Sequence, residues 1–266
     1  DCTMNRLPTL FISHGSPMLA LQDSPARRFL TELGKSLPRP RAILVASAHW
    51  ETRNVPALSF AEQPETIHDF GGFPAELFAI QYPARGAPLI AERAATLLQA
   101  AGLEVKRSAD RGLDPGAWVP LRLMYPEADI PVAQISILRG AAPADHEKIG
   151  AALTALRDEG VLVIGSGSLT HNLSEIARAE PQLAAPAWVT EFGDWMNSML
   201  EAGRREELRE YRRLAPHALR NHPTEEHLLP LFVAMGAAGP AARARRLHTS
   251  IEYGVLSMDV YAFSED

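Results

Sequence analysis

Short apolar runs alternate with longer amphipathic stretches along this chain, the pattern of repeated βα units. Strands are expected over 8–13, 42–48, 56–60, 103–107, 131–137, 161–165, 245–252 and 255–263. Helices are expected near 24–35, 86–101, 143–158, 186–202, 204–213 and 224–237. Gly102 and Gly160 stand just past helical runs, where a terminating glycine belongs. Asp145 and Glu147 load the first turn of the 143–158 helix with negative charge. The uniformly apolar cores of 42–48 and 161–165 read as central strands buried on both faces. Tyr253-Gly254 reads as the turn of a closing hairpin. The expected fold is therefore α/β: a single domain over 1–266, with a central mixed, largely parallel sheet flanked by helices on both faces. No composition break, Gly/Ser linker or internal repeat divides it.

Two of the apolar strands end in histidine. Phe11-Ile12-Ser13 leads to His14, and Val45-Ala46-Ser47-Ala48 leads to His49. A third run, Val161 to Thr170, leads to His171, and His227 lies in His222-Pro223-Thr224-Glu225-Glu226-His227. Open α/β sheets bind ligands outside the carboxyl ends of their strands. A lone histidine there is ordinarily a capping group, but the repetition points to one metal site built from distant segments. Pro223 fits a first helical turn, placing His227 one turn inside a helix and His222 just before it. The spacing H-x-x-x-x-H is not the zincin H-E-x-x-H. Glu225 or Glu226 offers a carboxylate for a 2-His-1-carboxylate set, although exposed helix-start charge is the plainer reading. The Gly165-Ser166-Gly167-Ser168 run resembles a phosphate cradle but lacks the P-loop lysine and the third dinucleotide glycine. His68-Asp69-Phe70-Gly71-Gly72-Phe73-Pro74 is a loop whose aromatics either wall a planar substrate or tuck into the core. His146, His217 and His248 read as structural.

Composition narrows the chemistry. With 266 residues, 46% of them hydrophobic, the chain can bury a large core. A net charge of −6 argues against a nucleic-acid partner. No apolar stretch reaches the roughly 20 residues needed to span a bilayer. The amino terminus lacks a basic segment followed by an apolar one, so a soluble cytoplasmic protein is expected. Cys2 is the only cysteine, which rules out an internal disulfide and a thiolate-rich site. Imidazole and carboxylate must therefore hold any transition metal.

Six segments together resemble the LigB-type class III extradiol ring-cleavage dioxygenases, in their 4,5-DOPA dioxygenase-like subgroup. They are Ser13-His14-Gly15-Ser16-Pro17, Ser47-Ala48-His49-Trp50, His68 to Pro74, Gly112-Leu113-Asp114-Pro115-Gly116-Ala117-Trp118, Ser166 to Asn172, and Asn221 to His227. The resemblance implies metal ligation by His14, His49 and His227, with His171 as a fourth ligand or the acid/base group. It implies Fe(II) for activity, with Zn2+ as an alternative bound metal, and a small aromatic diol plus O2 as reactants. Ser16 and His222 would line the substrate cleft. The oligomeric state stays open, a homodimer included. The sequence departs from the family pattern at Pro115, where a histidine is usual. That exchange leaves two other readings, a zinc hydrolase and a catalytically impaired metal- or catechol-binding relative.

Overall fold

The computed structural model describes residues 6–176 and 183–266; residues 1–5, with Cys2, and 177–182 lie outside it. Its strands are β1 (Thr9–Ser13), β2 (Ala42–Thr52), β3 (Ala57–Ser59), β4 (Lys106–Ser108), β5 (Val132–Leu138), β6 (Val161–Gly167), β7 (Arg243–His248), β8 (Ile251–Glu252), β9 (Leu256–Ser257) and β10 (Val260–Ser264). Eight of them form one sheet in the order β4-β3-β5-β2-β6-β1-β10-β7. The central β5-β2-β6-β1 block is parallel. β3 joins β5 antiparallel, and β10 and β7 close the other edge antiparallel. The expected mixed, largely parallel sheet is thus present.

Side-chain alternation explains why the central strands read as unbroken apolar runs. Ile43, Val45, Leu162, Ile164, Leu10 and Ile12 point to one face, under the Pro25–Ser36 and Pro115–Met124 helices. Leu44, Ala46, Val161 and Val163 point to the other, under Pro88–Ala100, Pro143–Ala152 and Leu229–Ala237. Both faces are covered, so both sets of positions must be apolar. β1 leads through a helix to β2, and β6 later inserts between them. The carboxyl ends of these neighbouring strands make the crevice expected at such a switch point.

Several expected elements take a different form. β2 runs on to Thr52, and its register against β5 breaks between Ala46 and Glu51. His49 therefore sits inside an irregular strand, where a bulge re-aims a side chain, and not beyond its end. The helix expected from 224 begins only at Leu229, with Pro230 in its first turn. The proline that starts this helix is Pro230 and not Pro223, so His227 lies in the turn ahead of it. The expected 143–158 helix gives way at Leu153 to a 3-10 segment. The Pro115–Met124 helix has no counterpart in the expected pattern. All its residues but Arg122 are buried, so it carries no amphipathic stripe to detect. The closing hairpin is present but small: β8 and β9 form their own sheet, with Tyr253 and Gly254 at φ 52° and 76°.

Gly165 and Gly167 mark where the chain crosses over β6. A Cβ on Gly167 would lie 2.0 Å from the His227 carbonyl oxygen, and one on Gly165 would lie 2.0 Å from that of Pro230. These glycines are spacers for the backbone that delivers His227. The adjoining N–H groups are occupied: Ser168 donates to the His227 carbonyl (2.8 Å), Leu169 to Ser13 Oγ (3.1 Å) and His171 to the Asn221 carbonyl (2.9 Å). That leaves no cradle for a phosphate here. Gly167→Ala is expected to lower stability by about 3 kcal/mol, because backbone must move to admit the methyl group. Urea denaturation would read this as a shifted midpoint with an unchanged slope.

Candidate metal centre

Three imidazoles converge at the carboxyl ends of β1, β2 and β6. The ring nitrogens of His14, His49 and His227 lie within 4.8 Å of one another. His14 follows β1 directly, held by its own N–H to the Gly167 carbonyl (2.8 Å). His49 is presented by the irregular part of β2, and His227 by the turn crossing β6. His14 Nε2 and His49 Nε2 face each other at 3.2 Å. Two nitrogens each about 2.1 Å from one ion stand about 3.0–3.4 Å apart in octahedral or tetrahedral coordination, so the spacing fits a shared ion.

Each of the three has a polar group behind it. Ser166 Oγ lies 2.9 Å from His14 Nδ1, Asp69 Oδ2 lies 2.9 Å from His49 Nδ1, and Glu226 Oε1 lies 3.3 Å from His227 Nδ1. Partners on the remote nitrogen fix ring orientation and leave the near one as a donor, a recurrent feature of metal-binding histidines. Electrostatics agree. Burial, then the neighbouring imidazoles, hold His14 and His227 well below the ordinary histidine range. Burial also pulls His49 down, but the Asp69 hydrogen bond and the charges of Asp114 and Asp69 leave it raised overall. The donor set is all imidazole, which suits Fe or Zn.

His49 rests on a buried network in the Gly112–Trp118 segment. Asp114 is fully buried and caps the Pro115–Met124 helix. Its carboxylate accepts from Ser47 Oγ (2.6 Å), the Gly116 N–H (2.9 Å), Gln134 Nε2 (2.8 Å) and Arg111 Nη2 (2.9 Å). Ser47 Oγ in turn accepts from the His49 N–H (3.1 Å), and Arg111 reaches the His49 carbonyl (3.2 Å). Pro115 is the buried first residue of that helix, where a preset φ is favourable.

His171 stands outside the triad. Its ring stacks on that of His227 with centroids 3.5 Å apart and planes 8° from parallel. A ligand's lone pair lies in its ring plane, and two planes so separated cannot both contain an ion at about 2.1 Å from each nitrogen. His171 thus lies beside the cluster of three ring nitrogens. His171 also falls within 4.8 Å of Glu226 and His227. Burial drops it to about 4, against the opposing pull of Glu226, so its ring is neutral at neutral pH.

The two residues expected to line the cleft fare differently. Ser16 caps the 3-10 turn Pro17–Ala20, two residues past His14 and partly exposed, accepting from the Met18 N–H. His222 has no exposed surface; its Nε2 lies 2.7 Å from the Leu169 carbonyl, so it braces the loop carrying His171 from behind. Buried in this way, His222 does not face the cleft that the family resemblance implies it would line. Glu225 turns away to accept from the Tyr211 hydroxyl (2.8 Å). In the 68–74 loop Phe70 and Phe73 pack partly against the core, while Asp69 serves His49. Asp69, Ser166, Arg111 and Asp114 were not singled out from sequence, although all but Arg111 lie in the quoted motifs.

Comparisons with known proteins bear on this arrangement. Residues 8–263 match the family described as the catalytic LigB subunit of aromatic ring-opening dioxygenase. A protein from Beta vulgaris named 4,5-DOPA dioxygenase extradiol is 45% identical over 260 residues, 96% of each chain. One of the same name from Escherichia coli K12 is 40% identical over 255 residues, 95% of this chain and 93% of the relative. The crystal structure of an uncharacterised Escherichia coli K12 protein, JW3007, superposes with a TM-score of 0.80 at 34% identity, covering 97% of this chain and 99% of that one. With the match running from β1 to β10 and three histidines gathered at the sheet's carboxyl edge, the chain belongs to the LigB family of aromatic ring-opening dioxygenases.

Proposed function

We propose that this protein opens the ring of a catechol of the DOPA type, cleaving the carbon–carbon bond beside the two hydroxyls with O2. The observation that carries the proposal is the convergence of His14, His49 and His227, each with a hydrogen-bond partner on its remote nitrogen. These three would hold the metal, with Fe(II) as the working ion and Zn2+ as an alternative occupant. When bound, the ion supplies Lewis acidity and a route for electrons between the diol and dioxygen. Both oxygen atoms enter the product and one ring bond breaks, so no external reductant is required.

The chain's own residues do the rest. Neutral His171, beside the triad, accepts a proton from a catechol hydroxyl and returns it as the ring opens. Its loop is held still by His222 on the Leu169 carbonyl and by Thr170 Oγ1 on the Val255 carbonyl (2.7 Å). Asp69 and Asp114 keep His49 aimed at the ion's place. Ser16, at the edge of the same crevice, offers a hydroxyl to the ring substituents. Pro115 has no side-chain donor to offer, so proton handling falls to His171.

The test is oxygen uptake. Protein reconstituted with Fe(II) should consume one O2 per catechol and release a yellow ring-opened product. Catechol turnover without O2 uptake, or hydrolysis of esters by the zinc form alone, would overturn the reading in favour of a metal hydrolase.

A further inference from the structure

The small β8–β9 hairpin carries one strained residue. Tyr253 holds φ 52° and Gly254 φ 76°, two left-handed positions in a row at the turn between the strands. Asparagine or aspartate followed by glycine is the pair such a turn favours, and a bulky aromatic there is an outlier. The Tyr253 ring is nonetheless buried, and its hydroxyl donates to Gln22 Oε1 at 2.8 Å, across 231 positions of the chain. Backbone strain of this kind persists only where surrounding contacts impose it, and it concentrates at functional sites.

The strain secures a contact with the loop after β1. Burial, then Glu252, push the Tyr253 phenol up, and the nearby Ser16 hydroxyl pulls against them. Tyr253 gives its own proton to Gln22, so toward Ser16 its oxygen can only accept. Ser16 and Gln22 bracket the 3-10 turn Pro17–Ala20, which Ser16 caps. Two further contacts lie along the same stretch. The Ser13 N–H donates to the Asp259 carbonyl (3.2 Å). Gly15, at φ 58°, sits so close to Met258 that a Cβ would meet its Sδ at 2.6 Å. His14 is therefore flanked on both sides by residues that the 253–259 segment holds.

The same segment also grips the loop carrying His171. The Val255 carbonyl accepts from Thr170 Oγ1 (2.7 Å), and the Ser257 N–H donates back to that oxygen (2.8 Å). One short hairpin thus touches both the loop of a triad histidine and the loop of the histidine beside the triad. β8 and β9 form a separate sheet of two strands, and an isolated pair has little stability of its own. Its placement depends on what it touches.

We infer that the 252–259 hairpin is a clasp that sets where His171 stands relative to His14, and that Tyr253 is the positioning residue that pins it, through Gln22 and Ser16. The consequence for turnover rests on the ring-opening reading, in which His171 handles the proton.

Hydrogen–deuterium exchange on Zn(II)-loaded protein tests the clasp without turnover. Tyr253→Phe keeps the ring and the turn and removes only the hydroxyl. Amides of 16–22 and of 168–172 should exchange about 5–10-fold faster, the worth of one hydrogen bond, while β2, β5 and the metal content stay as in wild type. Gln22 is exposed, so Gln22→Ala should fold and give the same pattern. Gln22→Glu, which keeps an acceptor, should return both stretches toward wild type. Tyr253→Phe combined with Gln22→Ala should equal either alone. In the Fe(II) form Tyr253→Phe should lower kcat on catechol about 10-fold with KM unchanged, because His171 is displaced and the ion is not. Faster exchange confined to 16–22, no change in either stretch, or an additive double variant overturns the clasp. An unchanged kcat in protein that does take up O2 overturns the positioning role. The expected exchange pattern with no O2 uptake by the wild-type Fe(II) form leaves the clasp standing and overturns the ring-opening reading.

Discussion

His49→Ala is expected to release the ion and abolish ring opening while the fold persists. His49 supplies one of three ring nitrogens within 4.8 Å of one another, and its side chain is only partly buried. Its removal leaves two donors, one short of what holds a catalytic ion while keeping positions open for reactants. Loss of a mere second-sphere partner costs about 10–100-fold in affinity, so loss of a ligand should exceed that range. Metal analysis after dialysis, beside circular dichroism, reads the outcome. His217→Ala is the control: its ring is exposed, 2.8 Å from Glu191, and remote from the triad in role. That variant should keep its metal. Full metal retention by folded His49→Ala would remove His49 from the ligand set.

The reasons His49 and His14 were visible in sequence are the reasons their supports were not. A strand buried on both faces reads as an apolar run, and a histidine closing such a run breaks the pattern conspicuously. β1 and β6 were placed within a residue or two for the same reason. Asp114 acts through four hydrogen bonds from Ser47, Gly116, Gln134 and Arg111, partners up to 67 residues away in sequence. Nothing local announces such a network. Asp69 is similar: its loop was noticed for glycine, proline and aromatics, yet the working group is the carboxylate between them. The turn carrying His227 was misread because Pro223 and Pro230 both satisfy the rule for a helix start. Only the packing of the 227–230 backbone across Gly165 and Gly167 decides for the second.

His171→Gln is expected to keep its metal and lose turnover by about 10²–10⁴-fold, the usual worth of a positioned proton carrier. Two roles are open for this residue, fourth ligand or acid/base group, and the stacked geometry supports the second. With the His171 ring lying face to face on His227 at 3.5 Å, its lone pairs lie in a plane parallel to that of the His227 ring and offset from it. Removing it should therefore leave the three-nitrogen set intact. What disappears is the neutral imidazole beside the reacting hydroxyl, kept unprotonated by burial down to about pH 4. Glutamine fills similar space and still hydrogen-bonds, but it cannot carry a proton between steps. Binding of catechol to the anaerobic protein should accordingly survive, so the loss appears in kcat and not in KM. A variant that loses metal in proportion to activity would place His171 in the coordination sphere. One that retains both would remove it from the reaction, leaving Glu226 as the remaining proton-carrying side chain in the same cluster.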